Sequence, residues 1–148
     1  LTEMAAWYAA QGMTLFDALN ALYEKYGWYA EKTPTLVMPG LDGLRDLAKL
    51  MQDLRKNPPA EISGVKVVVR KDSPDGSVID CATGAKTTME LSGSNVLRYE
   101  LADGTVILVR PSGTEPKIKV YILTKGTDSA DAAANIEKYG KWVAGLKP

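Results

Sequence analysis

The stretch 95–122 constrains the fold more than any other part of the sequence. Three apolar runs follow one another there, at 96–101, 105–109 and 118–122. Asp103-Gly104 separates the first two runs and is typical of a tight hairpin, while an eight-residue loop leads into the third. Strands that follow each other so closely in a chain usually pair as neighbours. We therefore predict three adjacent strands of an antiparallel sheet.

Two amphipathic patterns predict helices that cover this sheet. One helix is expected from about Asp42 to Asn57, where Pro58-Pro59 stops it, and another from its cap at Asp128 to about Ala144. Their apolar residues recur at helical spacing and should face the sheet. The expected apolar stripes are Leu44, Leu47, Ala48, Met51 and Leu54 in the first helix and Ala133, Ile136, Tyr139 and Val143 in the second.

The first 38 residues have the pattern of a helical pair followed by a connector. A helix over 2–11 precedes a second helix that begins at Thr14, with Asp17 as its capping-box partner. Residues 31–38 are expected to be extended. The aromatic residues near the helix ends could stack on bases or sugar rings, but we interpret them as core, and any that are exposed would favour self-association. They are Trp7, Tyr8, Trp28 and Tyr29.

These patterns together predict an α+β fold of two layers. Its antiparallel sheet is expected to have about four strands, with helices packed on one face and the N-terminal helical pair in front. Residues 65–70 supply the remaining strand. Residues 73–94 are rich in turns and are expected to carry a short strand around Val78 and Ile79.

Composition excludes several classes of function. Lys and Arg number 18 and Asp and Glu number 18, so the basic excess of a nucleic-acid-binding domain is absent from the sequence. Without histidine, Ser-His and Cys-His catalysis are excluded within the chain. No apolar run is long enough for a transmembrane span. Since Cys81 has no partner for an internal disulfide, we expect a cytoplasmic location. From the charge balance and the lack of a long apolar run, we expect neither nucleic acid nor membrane as a partner.

The loop before the third strand concentrates groups that can hold a phosphate. It consists of Arg110, Pro111, Ser112, Gly113, Thr114, Glu115, Pro116 and Lys117. Arg110 offers a planar fork of donors to paired phosphate oxygens, and Lys117 adds a compact second charge. Ser112 and Thr114 bring hydroxyl donors, while Gly113 between them can take a positive φ and turn backbone N–H groups towards one point.

The same loop composition also describes an ordinary turn between strands. From the chemistry alone, anion binding and a purely structural turn are about equally favoured. Glu115 is the odd member, because a carboxylate beside a phosphate repels it. We expect Glu115 to point away from the ligand or to orient Arg110 or Lys117.

The loop and the strand after it resemble the phosphate-binding loop in the last domain of the α-D-phosphohexomutases. Residues 3–8, 14–19, 22–27 and 54–59 are also similar to the lead into that domain in bacterial phosphoglucomutases and phosphomannomutases, so the resemblance covers essentially the whole chain. It implies that the loop binds the phosphate of glucose 1-phosphate, glucose 6-phosphate or a mannose phosphate. The residues expected to do so are Arg110, Ser112, Gly113, Thr114 and Lys117.

The resemblance also implies what lies elsewhere. Members of the family transfer a phosphoryl group between the 1- and 6-positions of a hexose phosphate, using a phosphoserine, a Mg²⁺ loop and a sugar-reading loop in earlier domains. No stretch of this sequence resembles any of these, and the chain starts at Leu1 inside an expected helix. We therefore interpret it as a C-terminal fragment that is not catalytic and holds no cofactor itself. Residues 1–38 would be the helical tail of the preceding domain with its connector, and residues 39–148 the phosphate-binding domain.

Two other classes of function remain open from the sequence. A free-standing phosphate-sensing module would bind the ligand without any parent enzyme. A protein-interaction domain would dock a partner through its aromatic N-terminal helices and would not respond to phosphate.

Overall fold

The chain forms an antiparallel sheet with helices on one face, which confirms the predicted α+β class. A computed structural model describes residues 1–147 and contains, within them, four helices and nine strands. The helices are α1 (Thr2–Ala9), α2 (Leu15–Tyr26), α3 (Gly43–Lys56) and α4 (Ser129–Ala144). The strands are β1 (Trp28–Lys32), β2 (Thr35–Val37), β3 (Glu61–Ile62), β4 (Val65–Asp72), β5 (Ser77–Asp80), β6 (Lys86–Thr88), β7 (Leu97–Leu101), β8 (Val106–Pro111) and β9 (Lys117–Gly126).

The strands follow the order β1-β9-β8-β7-β4-β5-β6, with β2 also pairing with β9 and β3 with β4. The four main strands that we predicted, β4, β7, β8 and β9, form the centre, and the three from 95–122 are neighbours as expected. The short strand expected around Val78 and Ile79 is present as β5. The sheet is wider than the four or so strands expected because short segments extend both edges. Part of the connector is itself a strand, since β2 pairs with β9 through Thr35 and Lys119. The domain division at residue 38 stays a prediction.

The core lies between the sheet and the two long helices. Alternate residues of β9, namely Ile118, Val120 and Ile122, are fully buried on the helix side. The same core cluster contains Leu47, Leu50, Met51 and Leu54 of α3 and Tyr139 and Val143 of α4. Most residues of the expected stripes are therefore confirmed as core, with Ile136 packed against it, and three are not. Leu44, which is 56% exposed, Ala48 and Ala133 lie outside the core.

The N-terminal helices are packed more loosely than the rest. The predicted capping box of α2 is present, with the Asp17 N–H donating to Thr14 Oγ1 at 3.1 Å. Yet α1 has no buried residue, and Trp7 and Tyr29 are 61% and 58% exposed. The interpretation of these two aromatics as core is wrong. Trp28 is half-buried and stacks on Tyr23 with 5.1 Å between ring centroids.

The β7–β8 hairpin turns at Asp103-Gly104, as predicted, and its polar groups find partners within the chain. One Asp103 carboxylate oxygen accepts the Thr105 N–H at 2.9 Å, and the other accepts the Tyr139 hydroxyl. The buried hydroxyls of Thr105 and Thr124 lie 2.8 Å apart. Desolvation raises the pKa of Asp103, but the hydrogen bonds from Tyr139 and Thr105 outweigh it, so that this pKa lies below its usual range.

None of the helices in residues 1–147 combines the length and the apolar character that a membrane crossing requires.

Candidate functional site

The loop between β8 and β9 is held firmly at its base. The Ser112 N–H donates to the Lys117 carbonyl at 2.8 Å and closes the turn. The Met38 N–H, just after β2, donates to the Pro116 carbonyl at 2.8 Å. The backbone of the loop is therefore fixed both by its own strands and by the segment that follows β2. This fixed backbone positions the exposed side chains of the loop.

The start of α3 approaches this loop so closely that only glycine fits. A Cβ on Gly43 would lie 2.2 Å from the Met38 carbonyl oxygen and 2.8 Å from Pro116 Cβ. Backbone cannot easily move away from such a contact. Gly43 thus allows α3 to support the loop, and the sequence offered no local signal for it because the contact joins distant segments.

The loop surrounds a shallow, open concavity of about 210 Å³. Its lining residues are Arg110, Pro111, Ser112, Gly113, Glu115, Lys117 and Lys119. Four of the five predicted phosphate-binding residues are thus brought together, and Thr114 is not among the lining residues. Lys119 lines the concavity but was missed from the sequence. The alternation of β9 could have found it, because Lys117 and Lys119 share the outer face while Ile118 between them is buried.

Inside the turn, the Ser112 hydroxyl oxygen accepts the N–H groups of Thr114 at 3.4 Å and Glu115 at 3.3 Å. Both distances are long for hydrogen bonds, so these donors are weakly held. The positive φ expected for Gly113 is not observed. A Cβ there would meet no atom within 4 Å, and among residues 1–147 its N–H donates to no acceptor. The backbone therefore leaves open space and a donor at the centre of the loop.

The charged side chains divide into paired and unpaired groups. Lys117 Nζ lies 2.6 Å from Glu115 Oε2. Of the alternatives expected for Glu115, the structure therefore shows the contact with Lys117. Arg110 and Lys119 are cross-strand partners in the β8–β9 register. Within the described chain neither forms an ion pair or a side-chain hydrogen bond. Directly opposed like charges repel, so an anion between Arg110 and Lys119 would relieve that repulsion.

The donor set suits an anion and not a metal ion. Three cationic side chains and one carboxylate line the concavity. Elsewhere in residues 1–147, too, no group of three or more His, Cys, Asp and Glu is placed to hold a metal. The Mg²⁺ implied by the resemblance does not fit these residues, since it requires oxygen ligands.

Comparison with known proteins identifies what the chain is similar to. The sequence model of "Phosphoglucomutase/phosphomannomutase, C-terminal domain" matches residues 42–138. A phosphoglucomutase of Staphylococcus aureus strain N315 is 36% identical over 125 residues, which cover 84% of this chain and 22% of that protein. The phosphoglucomutase of the bovine strain RF122 / ET3-1 is 35% identical with the same coverage. The chain thus spans less than a quarter of the length of these curated relatives.

Among solved structures, the solution structure of a Cytophaga hutchinsonii protein aligns with 79% of this chain and 91% of its own, at 10% identity and a TM-score of 0.23. A likeness this weak carries no argument.

Proposed function

The chain belongs to the family of phosphoglucomutase and phosphomannomutase C-terminal domains, and we propose that it binds the phosphate group of a hexose phosphate. The observation that carries the proposal is the Arg110–Lys119 pair. Two exposed like charges are cross-strand partners in β8 and β9, where they line a concavity with further donors, and neither has an anionic partner within residues 1–147. Such an arrangement is stabilised by a bound anion.

Each residue then has a distinct role. Arg110 presents its planar fork to two phosphate oxygens, and Lys119 adds a second charge from the neighbouring strand. The Ser112 hydroxyl accepts hydrogen bonds within the turn but can still donate its own proton to a ligand. The Gly113 N–H can also donate to a ligand, because it has no acceptor within the described chain. Lys117 contributes once it leaves Glu115. The role of Thr114 remains a prediction from the resemblance.

In a longer enzyme of this family, the proposed reaction transfers a phosphoryl group between the 1- and 6-positions of glucose or mannose phosphates. The loop would hold the phosphate that is not reacting. Binding energy from that remote group positions the sugar, and closure over it excludes water. We propose that the phosphoserine and Mg²⁺ act from other domains, that the chain alone is not catalytic, and that it works in the cytoplasm.

The exposed N-terminal helices support the proposal that other domains are partners. Phe16 is 69% exposed and Leu22 49%, although they lie on a helix whose apolar residues would normally be covered. We propose that α1 and α2 dock against the rest of such an enzyme.

An NMR titration of the chain tests the proposal. Glucose 1-phosphate, glucose 6-phosphate and inorganic phosphate should each shift resonances of residues 110–119, with Kd about millimolar, or about −4 kcal/mol. Arg110→Ala should abolish the shifts, while Lys141→Ala, which removes one exposed positive charge on α4, should leave them unchanged. Equal responses in wild type and Arg110→Ala, or shifts confined to other surfaces, would contradict phosphate binding by this loop.

A further inference from the structure

The carboxylate of Glu115 occupies the same concavity as the cations. Its Oε2 lies 2.6 Å from Lys117 Nζ, and the side chain of Glu115 is 58% exposed whereas that of Lys117 is 30% exposed. Both residues line the concavity. A protein carboxylate therefore already stands in one of the positions from which an anion would contact Lys117.

This ion pair is built into the turn itself. The Lys117 N–H donates to the Glu115 carbonyl at 2.7 Å, and Pro116 between them has a restricted φ. Because the backbone holds the two residues together, their side chains lose little additional freedom when they pair. The pairing thus involves only residues of the turn and needs no contribution from any other element.

A phosphate in the concavity would disturb this pair. Phosphate oxygens next to Arg110 and Lys119 would bring a second negative charge close to Glu115 and raise its electrostatic energy. Either Glu115 turns away, or the ligand binds without Lys117. Since more than half of the Glu115 side chain is exposed, a route into water is open.

We propose that Glu115 is an internal competitor for the anion: it neutralises Lys117 before the ligand binds and lowers the affinity for phosphate. The inference rests on the proposed function, because it requires the loop to bind an anion. A phosphomonoester carries about −1.5 to −2 charges and displaces a singly charged carboxylate from Lys117 more readily than a monoanion does. Because both the repulsion from Glu115 and the attraction to a free Lys117 grow with the ligand's charge, Glu115 weakens the binding of a dianion more than that of a monoanion.

The test measures phosphate affinity in a double-mutant cycle. Inorganic phosphate at pH 8 is titrated into the full chain, as wild type, Glu115→Gln, Lys117→Gln and the double variant. Glu115→Gln should lower Kd by about three- to fivefold, the range expected for an exposed ion pair. In the Lys117→Gln background the same substitution should change Kd by less than about 1.5-fold, since Glu115 and the phosphate no longer compete for a charged lysine.

Glu90→Gln is the matched control. Glu90 is exposed and follows β6 at the far edge of the sheet, so its substitution removes the same charge away from the loop and should leave Kd unchanged. Dimethyl phosphate, a monoanion of similar shape, probes selectivity. Its Kd should fall less than that of phosphate in Glu115→Gln, because a monoanion is repelled less by Glu115 and gains less from a free Lys117.

The outcomes separate the alternatives. Weaker or unchanged phosphate binding in Glu115→Gln would overturn the proposal, because Glu115 would then position Lys117 for the ligand. An equal gain in both backgrounds would also overturn it, in favour of simple repulsion. Failure of the proposed function would look different, since no variant, wild type included, would respond to phosphate at the loop.

Discussion

The two ends of strand β8 carry polar turns that behave in opposite ways. At its start, the side chain of Asp103 binds the Thr105 N–H and the Tyr139 hydroxyl, and the buried hydroxyls of Thr105 and Thr124 bind each other. At its end, Arg110 has no partner within the described chain. The first turn is closed upon itself, whereas the second presents donors outwards.

This difference teaches how a structural turn can be told from a binding loop. Both turns contain glycine and charged residues, so composition does not distinguish them. A buried polar group must find a partner inside the chain, because leaving it without one is costly. An exposed donor needs no partner inside the chain, since it can donate its hydrogen bond to water until a ligand binds. The comparison predicts that substitutions at one end change stability and that those at the other change binding.

Gly43→Ala should have the largest effect, because it is the one substitution that damages both properties. The added Cβ would collide with the Met38 carbonyl oxygen and with Pro116, which costs about 3 kcal/mol of unfolding free energy. Displacement of the loop should also weaken phosphate binding. Urea denaturation and phosphate titration measure the two effects. Gly140→Ala is the control, since a Cβ there meets nothing within 4 Å and should stabilise α4 by up to about 1 kcal/mol.

Asp103→Ala should separate the two ends of β8. Removing the carboxylate leaves the Thr105 N–H and the Tyr139 hydroxyl without their acceptor, at about 2 kcal/mol of unfolding free energy. The Kd for inorganic phosphate should stay as in wild type. A parallel loss of phosphate affinity would show that the two ends are coupled and that the comparison is too simple.

Lys117 and Lys119, the first two lysines of β9, allow the comparison to be tested within the loop. Lys119→Gln should raise the Kd for phosphate about fivefold, the equivalent of about 1 kcal/mol, since Lys119 faces Arg110 without an anionic partner of its own. Lys117→Gln should raise it by less than about twofold, because Glu115 already neutralises that charge. Calorimetric titration of both variants measures the order, and a larger effect at Lys117 would contradict the assignment of Lys119.

The smallest effect expected is on the pH dependence of stability. Because the pKa of Asp103 is lower in the folded chain than in the unfolded chain, its contribution is fully present above the unfolded value of about 4 and disappears as the pH falls below it. Unfolding free energies measured from pH 6 to pH 3 should decrease less steeply in Asp103→Ala. The decrease should not vanish, because the pKa of Glu100 is also lowered: its desolvation is outweighed by Lys71 and Arg98.

Much of the fold could be predicted because its signals are local. The hairpin at Asp103-Gly104, the capping box of Thr14 and Asp17, and the period of α3 each depend on residues close in sequence. The outer strands could not be predicted, because β2 and β6 have three residues each and are strands only through their neighbours. Burial of Trp7 was predicted wrongly for a related reason: the residues that would cover an aromatic side chain cannot be read from its own helix.

For the site, the sequence by itself determined the family and the residues that enter the loop, because a short run of special residues between two strands keeps its chemistry in any context. Only the tertiary structure decided which of them converge. It placed Lys119 opposite Arg110, paired Lys117 with Glu115 and set Gly43 against Pro116. Those relations depend on strand register and on close packing between distant segments, and neither is encoded in the spacing of residues along the chain.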